Sequence, residues 1–173
     1  NPAEAAIALR QAKELDVKAR IFVGTTMVDQ NFLAAAKENA EGVARHLVMA
    51  ARLIEDDPHL AHQHAISAAR RAGRIGIVRE TLASTAYATG DYGLALRELR
   101  TYRRITGRDD QLPMMVDSER GMGRPDRALE LGRSVPRASL PVPVQVELAI
   151  AMSGARLDLR HPEAALTELE IPQ

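Results

Sequence analysis

Three histidines, His59, His62 and His64, fall within six residues beside Asp56 and Asp57, and their side chains have ligand and proton-transfer chemistry to offer. On a helix His59 and His62 sit one turn apart and share a face, while His64 points elsewhere. A metal site there would need a further ligand from another helix. The plainer reading is a polar helix surface whose acidic start suits the helix dipole, and neither metal nor cofactor is expected. A second group, Asp109, Asp110, Asp117 and Glu119, gathers around a helix start. A hydrolase could use such acids, but capping and solubility account for them more simply. The chain has no Cys, which removes disulfides, thiolate nucleophiles and Cys-based zinc sites. It carries no P-loop, no Gly-x-Ser-x-Gly and no His-Glu-x-x-His. No catalytic residue is assigned, and a non-enzymatic protein is expected.

Arginine gives a different signal. Lys and Arg together match Asp and Glu, 23 against 23, but the charge is unevenly spread. Arg70 to Arg108 holds nine arginines against three acids, and from Asp109 onward seven arginines face eleven carboxylates. Lys occurs only at positions 13, 18 and 37, a bias that fits a GC-rich genome. On a helix following Asp91, Arg97, Arg104 and Arg108 share a narrow sector with Arg100 beside it, opposite Ala95, Leu99 and Tyr102. Such a basic stripe can engage RNA, phosphate groups or an acidic partner, or simply be solvated. Aromatic residues are 3% of the chain with no Trp, which leaves little for base stacking.

The elements that must position these residues are helices. The 173 residues are 46% hydrophobic and 27% charged, a globular composition, and the apolar part is mostly Ala, Leu, Val and Ile. No apolar run approaches the ~20 residues of a membrane span, and Asn1 to Arg10 lacks the pattern of a signal peptide; a cytoplasmic protein without membrane contact is expected. Asn1 to Leu15 reads as a helix, and Asp16 to Gln30 as a loop or irregular helix. Helix resumes near Asn31 and continues through Val43, Leu47, Ala50, Ala51 and Ile54 to Glu55. Further helices follow from Pro58 to a turn bracketed by Gly73 and Gly76, then over Ile77 to Thr89, from Asp91 as a cap to about Thr106, Pro113 to Met122, Pro125 to about Arg133, Val144 to Leu159 and Pro162 to Glu170. Val135 to Pro143, with three prolines, reads as a connector. No β-hairpin or βαβ unit and no clear domain boundary is seen.

A short pattern recurs along these helices. Pro58, Tyr92, Pro125 and Pro162 each stand three residues before an alanine, and those alanines (61, 95, 128 and 165) are 34, 33 and 37 residues apart. A period in this range points to stacked helix pairs. The stretch Leu82-Ala83, Ala86-Tyr87, Gly90-Asp91-Tyr92, Ala95 and Leu99 resembles a tetratricopeptide repeat, of the degenerate bacterial kind. The other copies depart from it: Pro replaces the aromatic residue at 58, 125 and 162, and Gly132 stands where Leu99 is matched. The resemblance covers about 43–170.

The resemblance implies an all-α fold, an α-solenoid of antiparallel helix pairs forming a right-handed superhelix. It implies one domain over 1–173, with an N-terminal segment over 1–42 and about four helix pairs over 43–170. It also implies that Ala83 and Ala95 sit where paired helices cross, that Tyr92 packs back onto the first helix, and that His46, Glu80, Ser84, Tyr87, Asp117, Arg120 and Ile150 line the inner face. Some family members hold a C-terminal carboxylate with Lys and Asn; after Asn39 this chain has neither, so that clamp is not expected. The expected function is a scaffold that binds another protein's peptide or helix in the concave groove. The alternatives are nucleic-acid or acidic-partner binding through Arg97, Arg100, Arg104 and Arg108, and self-association through exposed terminal helices, as in a homodimer.

Overall fold

The structure, a computed structural model, describes residues 30–170, with side chains from residue 36. The helix expected over Asn1 to Leu15 and nearly all of the irregular stretch after it lie outside those residues. All regular structure among the described residues is helical: eight α-helices and one 3-10 turn, without a strand. None of these helices is long and apolar enough to cross a membrane. The chain divides into two compact units, Asn1–Thr89 and Gly90–Gln173. The division falls at the turn inside the stretch that best carries the repeat pattern.

The first unit contains α1 (Gln30–Leu53), α2 (Pro58–Ala72) and α3 (Gly76–Ala88). All three pack on one another. Val43 and Leu47 of α1 meet Ala68 of α2 and Val78 of α3, and Ala50, Ala65 and Leu82 form an adjoining cluster. Ala50, Ala61, Ala65 and Ala68 have no exposed surface; small side chains at these positions let helices approach closely, so few bulky residues are needed. The start of α2 is fixed locally. Pro58 occupies the first position, where no backbone N–H is required, and the Leu60 N–H donates to Asp57 Oδ1 at 3.0 Å.

The second unit contains α4 (Tyr92–Thr106), α5 (Leu112–Gly121), α6 (Pro125–Gly132), a 3-10 turn (Arg137–Ser139), α7 (Val142–Asp158) and α8 (Pro162–Glu168). Asp91 caps α4 as Asp57 caps α2, accepting from the Leu94 N–H at 3.0 Å. Helix α4 packs on α5, and α7 packs on α5, α6 and α8. The core shared by α5, α6 and α7 holds Leu112, Val116, Ala128, Leu129, Leu148, Met152 and Ala155. Helix α7 begins two residues earlier than the sequence suggests. Pro143 is its second residue, and in a first turn proline has no hydrogen bond to break. The connector before it is correspondingly shorter and contains the 3-10 turn.

The turns repeat with the last three of the four alanines. Gly90, Gly123 and Arg160 each stand two residues before the first residue of a helix, and each has a positive φ, of 79°, 72° and 61°. Arg160 is the only side-chain-bearing residue with positive φ among the described residues. A left-handed conformation costs such a residue about 1–2 kcal/mol and a glycine little. Arg160→Gly should therefore stabilise the protein by up to about 1 kcal/mol, and Gly123→Ala should destabilise it by a similar amount. Shifts of the urea midpoint in opposite directions would bear this out; equal shifts would refute it.

Candidate functional site

In the first unit the histidines are arranged by their helices rather than by their spacing. His64 of α2 reaches α1, where its Nδ1 lies 2.9 Å from Nδ1 of His46, with ring centroids 5.1 Å apart. One of these nitrogens must donate and the other accept, so both rings cannot be charged while the bond exists. Burial lowers the His46 pKa below its ordinary 6.5, and His64 and Arg71 lower it further. His62 turns instead to α3, with Nδ1 2.9 Å from Thr85 Oγ1. His59 is exposed. Among the described residues no three or more His, Asp or Glu side chains are grouped to hold a metal ion. On α3, Ser84 Oγ donates to the Glu80 carbonyl at 3.0 Å, and Glu80, Ser84 and Tyr87 are all half-buried.

In the second unit the arginines and the acids, two separate features of the sequence, turn out to be partners. Arg97 Nε donates to Glu98 at 3.2 Å. Arg100 donates to Glu119 at 3.2 Å. Arg108 pairs with Asp110, which also accepts from the Tyr102 hydroxyl at 3.0 Å. Arg103 pairs with Asp109. Arg104 is exposed and has no ion pair among the described residues. The opposite side of α4 buries Ala95, Leu99 and Tyr102. Glu119 is the pivot of this group. It is 3% exposed, and besides Arg100 it lies 2.9 Å from Arg124 Nε, close enough for an ion pair but without hydrogen-bond alignment.

Asp117 and Arg120 of α5 meet α7 at Asp158 and Gly154, and Ile150 lies one turn before Gly154 on α7. The Arg120 guanidinium pairs with Asp117 on its own helix and reaches Asp158 on α7, with Nε at 2.8 Å. It lies on Gly154, where a Cβ would collide with it. The hydrogen bond to Asp158 is the main reason that the Arg120 pKa is raised. Ile150 is 60% exposed and is flanked on α7 by exposed Val142, Val146 and Leu157. At 100° per residue these four fall within about 80° of arc. Helix α7 thus buries Leu148, Ala149, Met152 and Ala155 on one side and presents apolar residues to water on another. The sequence reading missed Val142, Val146 and Leu157. The signal was available, since a helix apolar over most of its circumference has more than one face to cover. Glu168 was also missed: it holds Arg133, Arg137 and Arg156 together at the end of α8.

Two measurements follow from these contacts. Glu119→Gln leaves Arg100 and Arg124 without a full charge partner and should cost roughly 1–3 kcal/mol in urea denaturation, while Arg104→Gln should change stability by less than about 0.5 kcal/mol. Equal effects would remove Glu119 from its anchoring role. The second measurement is stability against pH. The unfolded His46 takes up its proton near 6.5, and the folded one only at lower pH. Between those values the unfolded chain binds more protons, so stability rises with pH. The His46 contribution is present in full above about pH 6.5 and is lost as pH falls through the folded value. His46→Gln should flatten the acid limb of melting temperature against pH; an unchanged slope would exclude the pair as its cause.

Comparison with protein-family models, with curated proteins and with solved structures returns no match to this chain.

Proposed function

We propose that this chain is a non-enzymatic, tetratricopeptide-like solenoid module that binds another protein through exposed faces of its helices. The observation that carries the proposal is α7, whose solvent side presents Val142, Val146, Ile150 and Leu157. A contiguous exposed apolar stripe of this kind marks interaction surfaces, and a helical partner segment with apolar residues at matching spacing would bury it. Arg120, held by Asp117 and Asp158 at the edge of the stripe, supplies a fixed polar rim. Its charge is already neutralised, so the rim gives orientation and specificity while the stripe gives affinity.

The carboxylates beside Arg97, Arg100 and Arg108 weigh against nucleic acid as the main ligand. Phosphate binding depends on cations free to release counterions, and these three are engaged within the protein. In a capture experiment with purified partner, Ile150→Glu should weaken binding at least about tenfold, with unchanged helicity by circular dichroism. Arg104→Glu should leave binding unchanged. Salt-dependent RNA binding lost on Arg104→Glu would replace this reading with a nucleic-acid one. Absence of any protein partner, a second copy included, would remove it.

A further inference from the structure

A row of polar contacts runs along the seam between α1 and α2 in the first unit. Gly42 and His46 lie one turn apart on α1 and face the same way. The Arg71 guanidinium of α2 lies over Gly42, where a Cβ would stand 2.8 Å from its Nη1. His46 meets His64 of α2, Nδ1 to Nδ1 at 2.9 Å. Beside this row the apolar contact is modest. Val43, Leu47 and Ala50 are the buried hydrophobic side chains of α1 among the described residues, and they pack with Ala65, Ala68, Val78 and Leu82. Only Val43 and Leu47 carry more than a methyl group, so little apolar burial holds α1 in place.

The histidine contact needs one bare Nδ1 as acceptor. It survives with neither ring or one ring charged, and is lost when both are. Two cations then stand with ring centroids 5.1 Å apart, next to the Arg71 cation. The surroundings do not compensate. The causes that hold the His46 pKa below 6.5 are burial, then His64, then Arg71, with no carboxylate among them. On α1 itself Glu41 and Arg45 are exposed and paired with each other. On α2, Arg70 is exposed and His62 turns to Thr85 of α3. From α3, Arg79 donates to the Gly73 carbonyl, and Glu80 stands about 200° around the helix from Val78, the residue that packs towards α1. We infer that the His46–His64 pair is an acid-sensitive latch: on acidification α1 swings away from α2 and α3 while the second unit stays folded. Released, α1 uncovers Ala65, Ala68, Val78 and Leu82, an apolar strip that it covers at neutral pH. The sign follows from linkage. A detached α1 takes up the His46 proton near 6.5 and a docked one only at lower pH. Docking is therefore complete above about pH 6.5 and weakens as pH falls through the docked value. At 24 residues, α1 exceeds the length at which an isolated helix becomes marginally stable, so it can detach as a helix about the connection 54–57.

Amide hydrogen exchange read by mass spectrometry follows both units in one molecule. Corrected for the intrinsic exchange rate, protection of residues 43–50 should fall at least about tenfold between about pH 7.5 and about pH 5, while that of residues 148–155 changes less than about threefold. His46→Gln combined with His64→Gln leaves no titrating group at the contact and should abolish the fall. Arg71→Gln keeps both histidines and should reduce the fall, because the docked His46 then takes up its proton closer to 6.5. If the double variant does not fold at neutral pH, Arg71→Gln alone decides. Equal loss of protection in both units means global acid unfolding and overturns the inference. So does protection of residues 43–50 that is independent of pH, or a fall that persists unchanged in the double variant or in Arg71→Gln.

Discussion

The second unit depends on one helix. Helices α5, α6 and α8 have ten, eight and seven residues, all below the ~12–15 at which an isolated helix becomes even marginally stable in water. None can persist on its own hydrogen bonds. Each is held by burying an apolar face against α7, which at 17 residues is the longest helix of the unit and packs on all three. Met152 lies over Gly132, Leu148 meets Leu129, and Ala155 joins Ala128 in the same core. The same requirement explains why α7 is apolar over so much of its surface: a helix that supports three neighbours must be sticky in several directions. The uncovered stripe is then a direction in which α7 has no neighbour among the described residues.

Charge reinforces this packing. Arg120 ties α5 to α7, Arg100 ties α4 to α5, and Glu168 gathers Arg133, Arg137 and Arg156 beneath the end of α8. Arginine suits this work, because its planar fork can contact two carboxylates at once, as Arg120 contacts Asp117 and Asp158. Glu98 and Glu119 are nearly buried, and a carboxylate so placed requires partners to offset its lost hydration. Nine of the twelve arginines of the second unit thus have a carboxylate partner.

How much of this was legible in the sequence follows from the range of each signal. Helix starts at Pro58, Asp91, Pro125 and Pro162, and the stop at Gly107, depend on residues within one turn, and local spacing reveals them. The alanine period gave the all-helical character of the described residues. Partnerships were not legible. Arg100 and Glu119 are 19 residues apart, Arg120 and Asp158 are 38 apart, and His46 and His64 are 18 apart. Periodicity assigns a residue to a face of its helix but does not say which helix arrives opposite. For this reason Arg97, Arg100 and Arg108 read as a free stripe, and His59 and His62 read as a pair, until the neighbouring helices were in place. Asp117, Arg120 and Ile150 were singled out through the family resemblance, and of these Asp117 and Arg120 are joined by an ion pair; the exposed Val142, Val146 and Leu157 needed a fuller reading of the α7 pattern.

The neighbour-only packing of the second unit also has a kinetic meaning. Helix α7 reaches back only to α5 and α6 and forward to α8, so the contacts that build its core join segments close together in the chain. Little loop entropy is lost in making them, and such topologies fold quickly. The same locality divides the unit into pieces that open separately. Helix α8, seven residues long and packed on one neighbour, can detach while the α5–α6–α7 core persists. Its amides then exchange with solvent at a rate set by that local opening rather than by global unfolding.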